Sequence, residues 1–97
     1  MRIISRKPLV ALYQKHPESK VALDKWYKIT KSATWKSLDE VKQDFNSVDY
    51  VGNSRYVFNI KGNTYRVVVA MQFLRQIVYV RFVGTHNEYN DIDCKTV

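Results

Sequence analysis

Three side chains suited to phosphodiester cleavage lie in the last third of the chain. Arg66 lies inside an apolar run, and His86 and Tyr89 follow a second apolar run that ends at Gly84. An arginine keeps its charge at every working pH and can bind two phosphate oxygens. A histidine transfers protons near neutral pH, and a tyrosine can stack on a base. Together they suit metal-free cleavage of RNA, which needs a base, an acid and a cation.

The spacing of apolar residues predicts how these side chains come together. The strand candidates are RYVFNI, TYRVVVAMQF and IVYVRFVG. Turn signals at Gly62-Asn63 and at LRQ separate them. They predict a three-stranded antiparallel meander, with MRIIS as a further strand at one edge. The middle strand is nearly all apolar, as expected of a strand covered on both faces. In a meander the start of one strand lies beside the end of its successor. We therefore expect Arg66 and His86 at the same end of the sheet. Tyr89, three residues beyond His86, can fold back over that end.

Other basic residues are candidates for binding RNA, and one of them, Lys61, should lie close to this end of the sheet. Lys61 lies in the predicted hairpin turn, Arg55 is near the start of the meander, and Arg81 lies in the last strand, in register with Tyr79 and Val83. A strand arginine is rarely buried without a partner. Each strand arginine therefore lines either a solvated face, paired with a carboxylate, or a site that needs a fixed positive charge. For the histidine after the last strand, the alternative is a surface position or a helix cap.

The first half of the chain is predicted to be mostly helical. One helix covers PLVALYQKH and ends before Pro17, because a residue before proline disfavours the α region. His16, at its end, is interpreted as structural. A second helix follows, and its predicted buried face consists of Leu23, Trp26, Tyr27 and Thr30. A third begins at the capping box from Ser37 to Glu40, with Trp35 packing before it. The fold class is therefore α+β, with two or three N-terminal helices packed on a small, mostly antiparallel sheet.

Length and composition indicate a single globular domain over residues 1–97. The net charge of +7 favours RNA, DNA or an acidic protein as partner, unless it serves solubility alone. A single cysteine, Cys94, cannot form an intrachain disulfide, and no Cys/His spacing resembles a zinc site, so we expect neither metal nor cofactor. No apolar stretch approaches the roughly 20 residues of a membrane span, and the start lacks a signal-peptide pattern. We expect a cytoplasmic protein without a membrane partner.

The combination of FNIKGNTYR with VGTHNEYN resembles the HigB-type toxins of bacterial toxin–antitoxin pairs, which belong to the RelE/ParE superfamily. The similarity spans nearly the whole chain, including MRIISRK and TWKSLDEVK. The resemblance implies two or three helices on one face of a small, mostly antiparallel sheet. It further implies cleavage of mRNA in the ribosomal A site, and silencing by a cognate DNA-binding antitoxin of the HigA type.

The resemblance also implies roles for single residues. Arg66 corresponds to the superfamily's strand arginine after the hairpin, and His86 to the basic residue after the last strand. Tyr89 is the nearest counterpart of the tyrosine that stacks on the substrate base. These three residues are therefore the predicted catalytic residues.

This chain departs from its relatives on the strand before the hairpin. Some relatives carry basic residues where Val57 and Asn59 stand, and Lys61 and Arg55 are the available substitutes. We predict that Arg55, Lys61 and Arg81 bind RNA or the ribosome. The identity of the general base stays open among His86, Lys61 and Tyr89.

Two other functions remain as alternatives. ParE-type members of the superfamily poison gyrase and cleave no RNA, and a basic domain of this kind could also be a non-catalytic nucleic-acid-binding module. His86 and Tyr89 favour the enzyme, because a binding surface needs no titratable pair. An RNA-recognition module would carry exposed aromatic residues on its central strand, whereas this strand is almost wholly aliphatic.

Overall fold

The structure, a computed structural model, describes residues 1–97. Five strands form one open sheet in the order β1-β5-β4-β3-β2. They are β1 Arg2–Ile4, β2 Val48–Gly52, β3 Arg55–Ile60, β4 Tyr65–Gln72 and β5 Ile77–Thr85. The edge strand β1 pairs parallel with β5, and the other neighbours pair antiparallel. The predicted α+β class and the predicted edge position of the first strand are confirmed.

Three helices cover one face of this sheet and build the core with it. They are α1 Lys7–Lys15, α2 Lys20–Ser32 and α3 Leu38–Asp44, and a 3-10 turn, Pro17–Ser19, separates the first two. Leu12, Trp26 and Val41, one from each helix, belong to the same buried cluster as Val67 and Val69 of β4. Burying an aliphatic side chain of this size stabilises the fold by about 1.5–3 kcal/mol. None of the helices has the length and apolar composition that a membrane span requires.

The predicted ends and faces of these helices agree with the structure. The first helix ends before Pro17, and Leu23, Trp26 and Thr30 of the second are buried, although Tyr27 stays half-exposed. The Ser37 side chain caps α3 by accepting a hydrogen bond from the Glu40 amide at 3.4 Å. Trp35 packs edge-on against Phe45 at the far end of that helix, with 5.9 Å between ring centres.

The predicted meander of three strands is confirmed as β3, β4 and β5, but it is incomplete, because β2 adds a fourth antiparallel strand outside β3. Its sequence, VDYVG, contains an aspartate and a glycine, which are depleted in strands. The reversal into β3 uses Gly52, Asn53 and Ser54, all with positive φ (95°, 52° and 58°). The turn is therefore built where the sequence offers residues that tolerate the left-handed region.

The predicted hairpin between β3 and β4 is confirmed, but the residues with positive φ differ from those expected. Ile60 pairs with Tyr65 and closes the loop. Positive φ falls on Lys61 (54°) and Gly62 (65°) rather than on Gly62 and Asn63.

The predicted register of Arg81 is wrong because β5 contains a β-bulge. The pairing shifts between neighbouring residues of β4, where Val68 pairs with Phe82 and Val69 with Val80. Arg81 is the extra residue on β5, and the bulge interrupts the alternation of side chains. Tyr79 and Val83 therefore lie on opposite faces of the sheet, because one inserted residue moves all later side chains of the strand to the other face.

The C-terminal segment, residues 91–97, lies on the sheet face that the helices leave free. Asn53 Nδ2 donates to the Lys95 carbonyl oxygen at 2.8 Å, and the Arg55 guanidinium donates to the Val97 oxygen at 2.9 and 3.2 Å. The buried apolar residues of this face are Val57, Val68 and Ala70. The middle strand is thus buried on both faces, as its apolar sequence predicted.

Candidate functional site

Arg66, His86 and Tyr89 meet at the end of the sheet where β4 begins and β5 ends. Arg66 Nη2 lies 3.0 Å from His86 Nδ1, and the Arg66 Cζ lies 5.6 Å from the centre of the Tyr89 ring. Arg66 is only 9% exposed, and its Nη1 donates to the Asn63 carbonyl oxygen at 3.1 Å. The structure therefore brings the three predicted residues together, while their catalytic roles stay predictions.

His86 and Tyr89 are carried by a short helix, α4 His86–Asn90, that the sequence analysis missed. A complete capping box lies at the N-terminus of α4. Thr85 Oγ1 accepts from the Glu88 amide at 3.2 Å, and Glu88 Oε1 accepts from the Thr85 amide at 2.9 Å. The spacing T-H-N-E is the sequence signal of this box and could have revealed the helix. The His86 amide donates to the Thr64 carbonyl oxygen at 3.1 Å, which attaches α4 to the β3–β4 turn.

Gly84 allows α4 and β5 to lie this close to each other. It pairs with Arg66 across the ladder. A Cβ added at this position would lie 2.6 Å from Phe82 Cζ and 3.2 Å from Glu88 Oε1. Because real Cβ atoms do not approach other atoms as closely as 2.6 Å, any larger residue would displace the Phe82 ring, and the carboxylate that caps α4 would also have to move.

The contact with Arg66 determines which nitrogen of His86 carries the proton. A guanidinium only donates, so Nδ1 accepts and the neutral ring carries its proton on Nε2. Tyr89 is held in its neutral form by its surroundings. Burial, followed by a hydrogen bond with Cys94, raises the pKa of Tyr89 to about 12. Its hydroxyl is therefore protonated at neutral pH and can donate a hydrogen bond but not accept a proton.

Arg55 lies away from this cluster. It pairs with Ala70 at one end of β3, whereas Arg66 pairs with Asn59 near the other end. The two pairs are four positions apart along the strand, which corresponds to roughly 13 Å. The Arg55 guanidinium is also occupied by the C-terminal oxygen of Val97.

Lys61 and Arg81 do not join the cluster either. Lys61 Nζ lies 3.5 Å from the Glu18 carbonyl oxygen, which places it towards the helices. Arg81 is exposed on the bulge of β5, with its Cζ 6.0 Å from the Tyr79 ring centre. The predicted binding of RNA by these residues stays a prediction, but they do not contact Arg66.

A second polar cluster, on the helix side of the same end, gave no signal in the sequence. The Tyr65 hydroxyl donates to Glu18 Oε1, and His16 Nδ1 lies 3.6 Å from the same oxygen. The hydrogen bond from Tyr65 is the main cause that lowers the pKa of Glu18, and Glu18 in turn raises the pKa of Tyr65 to about 12. This contact ties the 3-10 turn to the residue just before Arg66. No group of three or more His, Cys, Asp or Glu side chains is arranged to hold a metal ion.

Comparison with known proteins gives relatives that match this chain over nearly its whole length. It is 34% identical over 93 residues to the mRNA interferase toxin HigB of Escherichia coli K12, which covers 93% of this chain and 88% of that protein. The mRNA interferase HigB of Shigella flexneri has the same identity and coverage. The mRNA interferase HigB of E. coli O6:H1 is 28% identical over 94 residues, or 95% of this chain and 91% of that protein.

A family profile gives the same assignment. The profile of the HigB toxins, described as the RelE-like toxic component of a toxin–antitoxin system, matches residues 19–92. This range begins just before α2 and extends beyond α4, and so includes Arg66, His86 and Tyr89. The chain therefore belongs to the HigB family of RelE-like toxins.

Proposed function

We propose that this toxin is an endoribonuclease that cleaves ribosome-bound mRNA, inhibits translation, and is silenced by a cognate DNA-binding antitoxin. The observation that carries the proposal is the 3.0 Å contact between Arg66 Nη2 and His86 Nδ1, with the Tyr89 ring beside the guanidinium. A cation, a proton-transferring ring and an aromatic surface are thus placed together. Relatives named as mRNA interferases support the substrate class.

Arg66 binds the scissile phosphate in this proposal. The net charge of +7 brings the protein onto RNA, because bound cations release the counterions of the phosphate backbone. The Asn63 carbonyl oxygen holds the guanidinium in place and leaves further N–H groups free for phosphate oxygens. As charge builds on those oxygens during the reaction, a fixed cation stabilises the transition state more than the ground state.

His86 transfers the proton. When a phosphate oxygen accepts from Arg66 Nη2, the lone pair of His86 Nδ1 becomes free. Nδ1 then takes the proton of the 2′-hydroxyl, the 2′ oxygen bonds to phosphorus, and the bond from phosphorus to the 5′ oxygen breaks. The imidazolium returns a proton to that leaving oxygen, so that a 2′,3′-cyclic phosphate and a 5′-hydroxyl result.

In this proposal neither Tyr89 nor Lys61 acts as the base. With a pKa of about 12, Tyr89 stays protonated and serves as a stacking surface for the substrate base. Lys61 is directed towards the Glu18 carbonyl oxygen on the helix side of the sheet. His86 is the remaining candidate of the three.

The test is mRNA cleavage in a defined translation mixture, with and without ribosomes, by the wild type, Arg66→Ala and His86→Ala. Lys42→Ala, at an exposed position of α3, is the matched control. We expect cleavage only with ribosomes, lost in the two site variants and kept in the control. Cleavage kept by both folded site variants would refute the site. Intact mRNA in every mixture would refute the activity, and a gyrase supercoiling assay would then test the ParE-like alternative.

A further inference from the structure

A basic cavity lies on the helical layer, at the end opposite to Arg66. Its volume is about 460 Å³, and its lining consists of Arg6, Asp24, Tyr27, Lys28, Lys31 and Ser32. We call it the Tyr27 pocket. It lies between the start of α1 and the second half of α2, whereas the end of α1 reaches His16 and Tyr65 beside the candidate site. The nine residues of α1 span about 13 Å, so the pocket and the candidate site are separate surfaces.

The protein neutralises the cations of the Tyr27 pocket only in part. The only two ion pairs of the chain are His16–Glu18 and Lys20–Asp24. The one carboxylate of the pocket, Asp24, is therefore taken by Lys20, whose Nζ lies 2.7 Å from its Oδ2. Arg6, Lys28 and Lys31 make no ion pair, and Asp24, which already pairs with Lys20, attracts Arg6 and Lys28 only at longer range. The pocket therefore keeps a net positive charge.

Tyr27 holds one of these cations in position. The Arg6 Cζ lies 4.6 Å from the centre of the Tyr27 ring, and Lys31 Nζ lies 6.0 Å from it. A guanidinium already placed over an aromatic ring loses less side-chain entropy when it binds an anion, because fewer rotamers remain to be frozen. The planar fork of N–H donors of Arg6 also matches a pair of phosphate oxygens.

The composition of the pocket favours a nucleic acid over a protein as its ligand. Protein interfaces depend on buried apolar or aromatic anchors, and Tyr27, whose ring already carries Arg6, is the one hydrophobic residue in the lining. Unpaired Arg and Lys side chains are the groups that contact phosphates. We propose that the Tyr27 pocket binds the phosphate backbone of RNA away from the cleavage site and so anchors the toxin on its target.

This inference rests on the proposed action on RNA but on different residues. The test variant is the double substitution Arg6→Gln with Lys28→Gln, and the matched control is Lys42→Gln with Arg75→Gln, which removes the same charge from exposed positions elsewhere. Two RNA targets distinguish the source of the phosphate, namely ribosomal subunits without mRNA and a single-stranded mRNA analogue with 2′-O-methyl groups, which cannot be cleaved. Affinity for each is measured across a series of salt concentrations.

We expect the pocket variant to bind at least one target more weakly than the control. If the single strand is the target that is weakened, its slope of log affinity against log salt should fall by about 1.4, since each lost phosphate contact removes roughly 0.7. Weakening on ribosomal subunits alone identifies ribosomal RNA as the source, and weakening on the analogue alone identifies mRNA. Equal affinities and slopes of pocket variant and control on both targets would overturn the proposal. Thermal melting of each variant, and of Lys28→Gln alone, confirms that the fold is intact.

The same samples separate this inference from the proposed function. The pocket variant should have a higher KM than its control, because it loses RNA contacts, and the same kcat, because Arg66 and His86 are untouched. If the wild type binds RNA through the pocket but cleaves none, the proposed function fails and the pocket stands. If the wild type cleaves and the pocket variant binds like its control, the pocket fails and the proposed function stands.

Discussion

Arg66 and His86 are twenty residues apart in the chain, and their side chains form a hydrogen bond of 3.0 Å. They come from adjacent strands, since Arg66 pairs with Gly84 and His86 follows two residues later at the start of α4. Because a guanidinium cannot accept, His86 Nδ1 can take up a proton only after Arg66 has moved to another acceptor. In the proposed mechanism, the residue that binds the phosphate therefore also controls when the imidazole is free to react.

Replacing Arg66 by lysine should lower kcat/KM for mRNA cleavage about a hundredfold, the usual loss of roughly 3 kcal/mol for one transition-state contact. Lysine keeps the charge but lacks the fork of donors that binds a phosphate and reaches both His86 and the Asn63 carbonyl oxygen. Single-turnover cleavage kinetics measure the effect. Arg75→Lys, at an exposed position of the turn between β4 and β5, is the control and should stay within about twofold of the wild type, because surface substitutions change little. A wild-type rate for Arg66→Lys would mean that a point charge is sufficient.

The variants Tyr89→Phe and Tyr89→Ala should differ sharply in how much cleavage activity they lose. Phenylalanine keeps the ring and loses a hydroxyl whose pKa of about 12 prevents it from acting as a base, so cleavage at neutral pH should fall only a few fold. Alanine removes the stacking surface, and the loss of about 1–3 kcal/mol should weaken substrate binding roughly 5- to 150-fold. Steady-state kinetics on ribosome-bound mRNA separate KM from kcat. A Phe variant as inactive as the Ala variant would assign the essential role to the hydroxyl.

The features that the sequence predicted depend on local periodicity. Leu23, Trp26 and Thr30 recur at helical spacing, and all three are buried. The proximity of Arg66 and His86 followed from strand order alone, because consecutive antiparallel strands bring the start of one beside the end of the next. No side-chain contact had to be known for that inference.

The features that were missed depend on single insertions or on distant partners. One extra residue at Arg81 reverses the facing of the strand beyond it, and an alternating pattern does not show such a bulge. The partner of Tyr65 is Glu18, 47 residues away, and that of Arg55 is Val97, 42 residues away. Pairings of this kind have no period in the sequence. Helix α4 is a different case, since its capping box is legible in THNE.

Thr85→Ala should reduce cleavage by up to about fivefold while leaving the core intact. The substitution removes the acceptor for the Glu88 amide, and the loss of an N-cap costs about 1 kcal/mol. The cost falls on α4, which carries His86 and Tyr89, so the helix should be unfolded in a larger fraction of molecules. Hydrogen exchange at the Glu88 and Tyr89 amides, together with the cleavage rate, measures this. Thr85→Ser keeps the acceptor and should behave like the wild type, and faster exchange without loss of cleavage would show that α4 need not be ordered for the reaction.

Tyr65→Phe should destabilise the protein only within a defined range of pH. The hydrogen bond from Tyr65 holds the pKa of Glu18 below its usual 4.5, so this contribution is complete above pH 4.5 and is lost as pH falls through the lowered pKa. Glu18 raises the pKa of Tyr65 from 10.0 to about 12, so this contribution is complete below pH 10 and is lost as pH rises through 12. The difference in Tm between wild type and Tyr65→Phe, measured over a pH series, should therefore be largest between these limits and shrink on both sides.

The control is Tyr56→Phe, which removes a buried hydroxyl whose pKa is raised chiefly by burial. Its Tm difference should not change at the acid end. A Tyr65→Phe difference that is equally flat would show that the contact with Glu18 contributes nothing to stability.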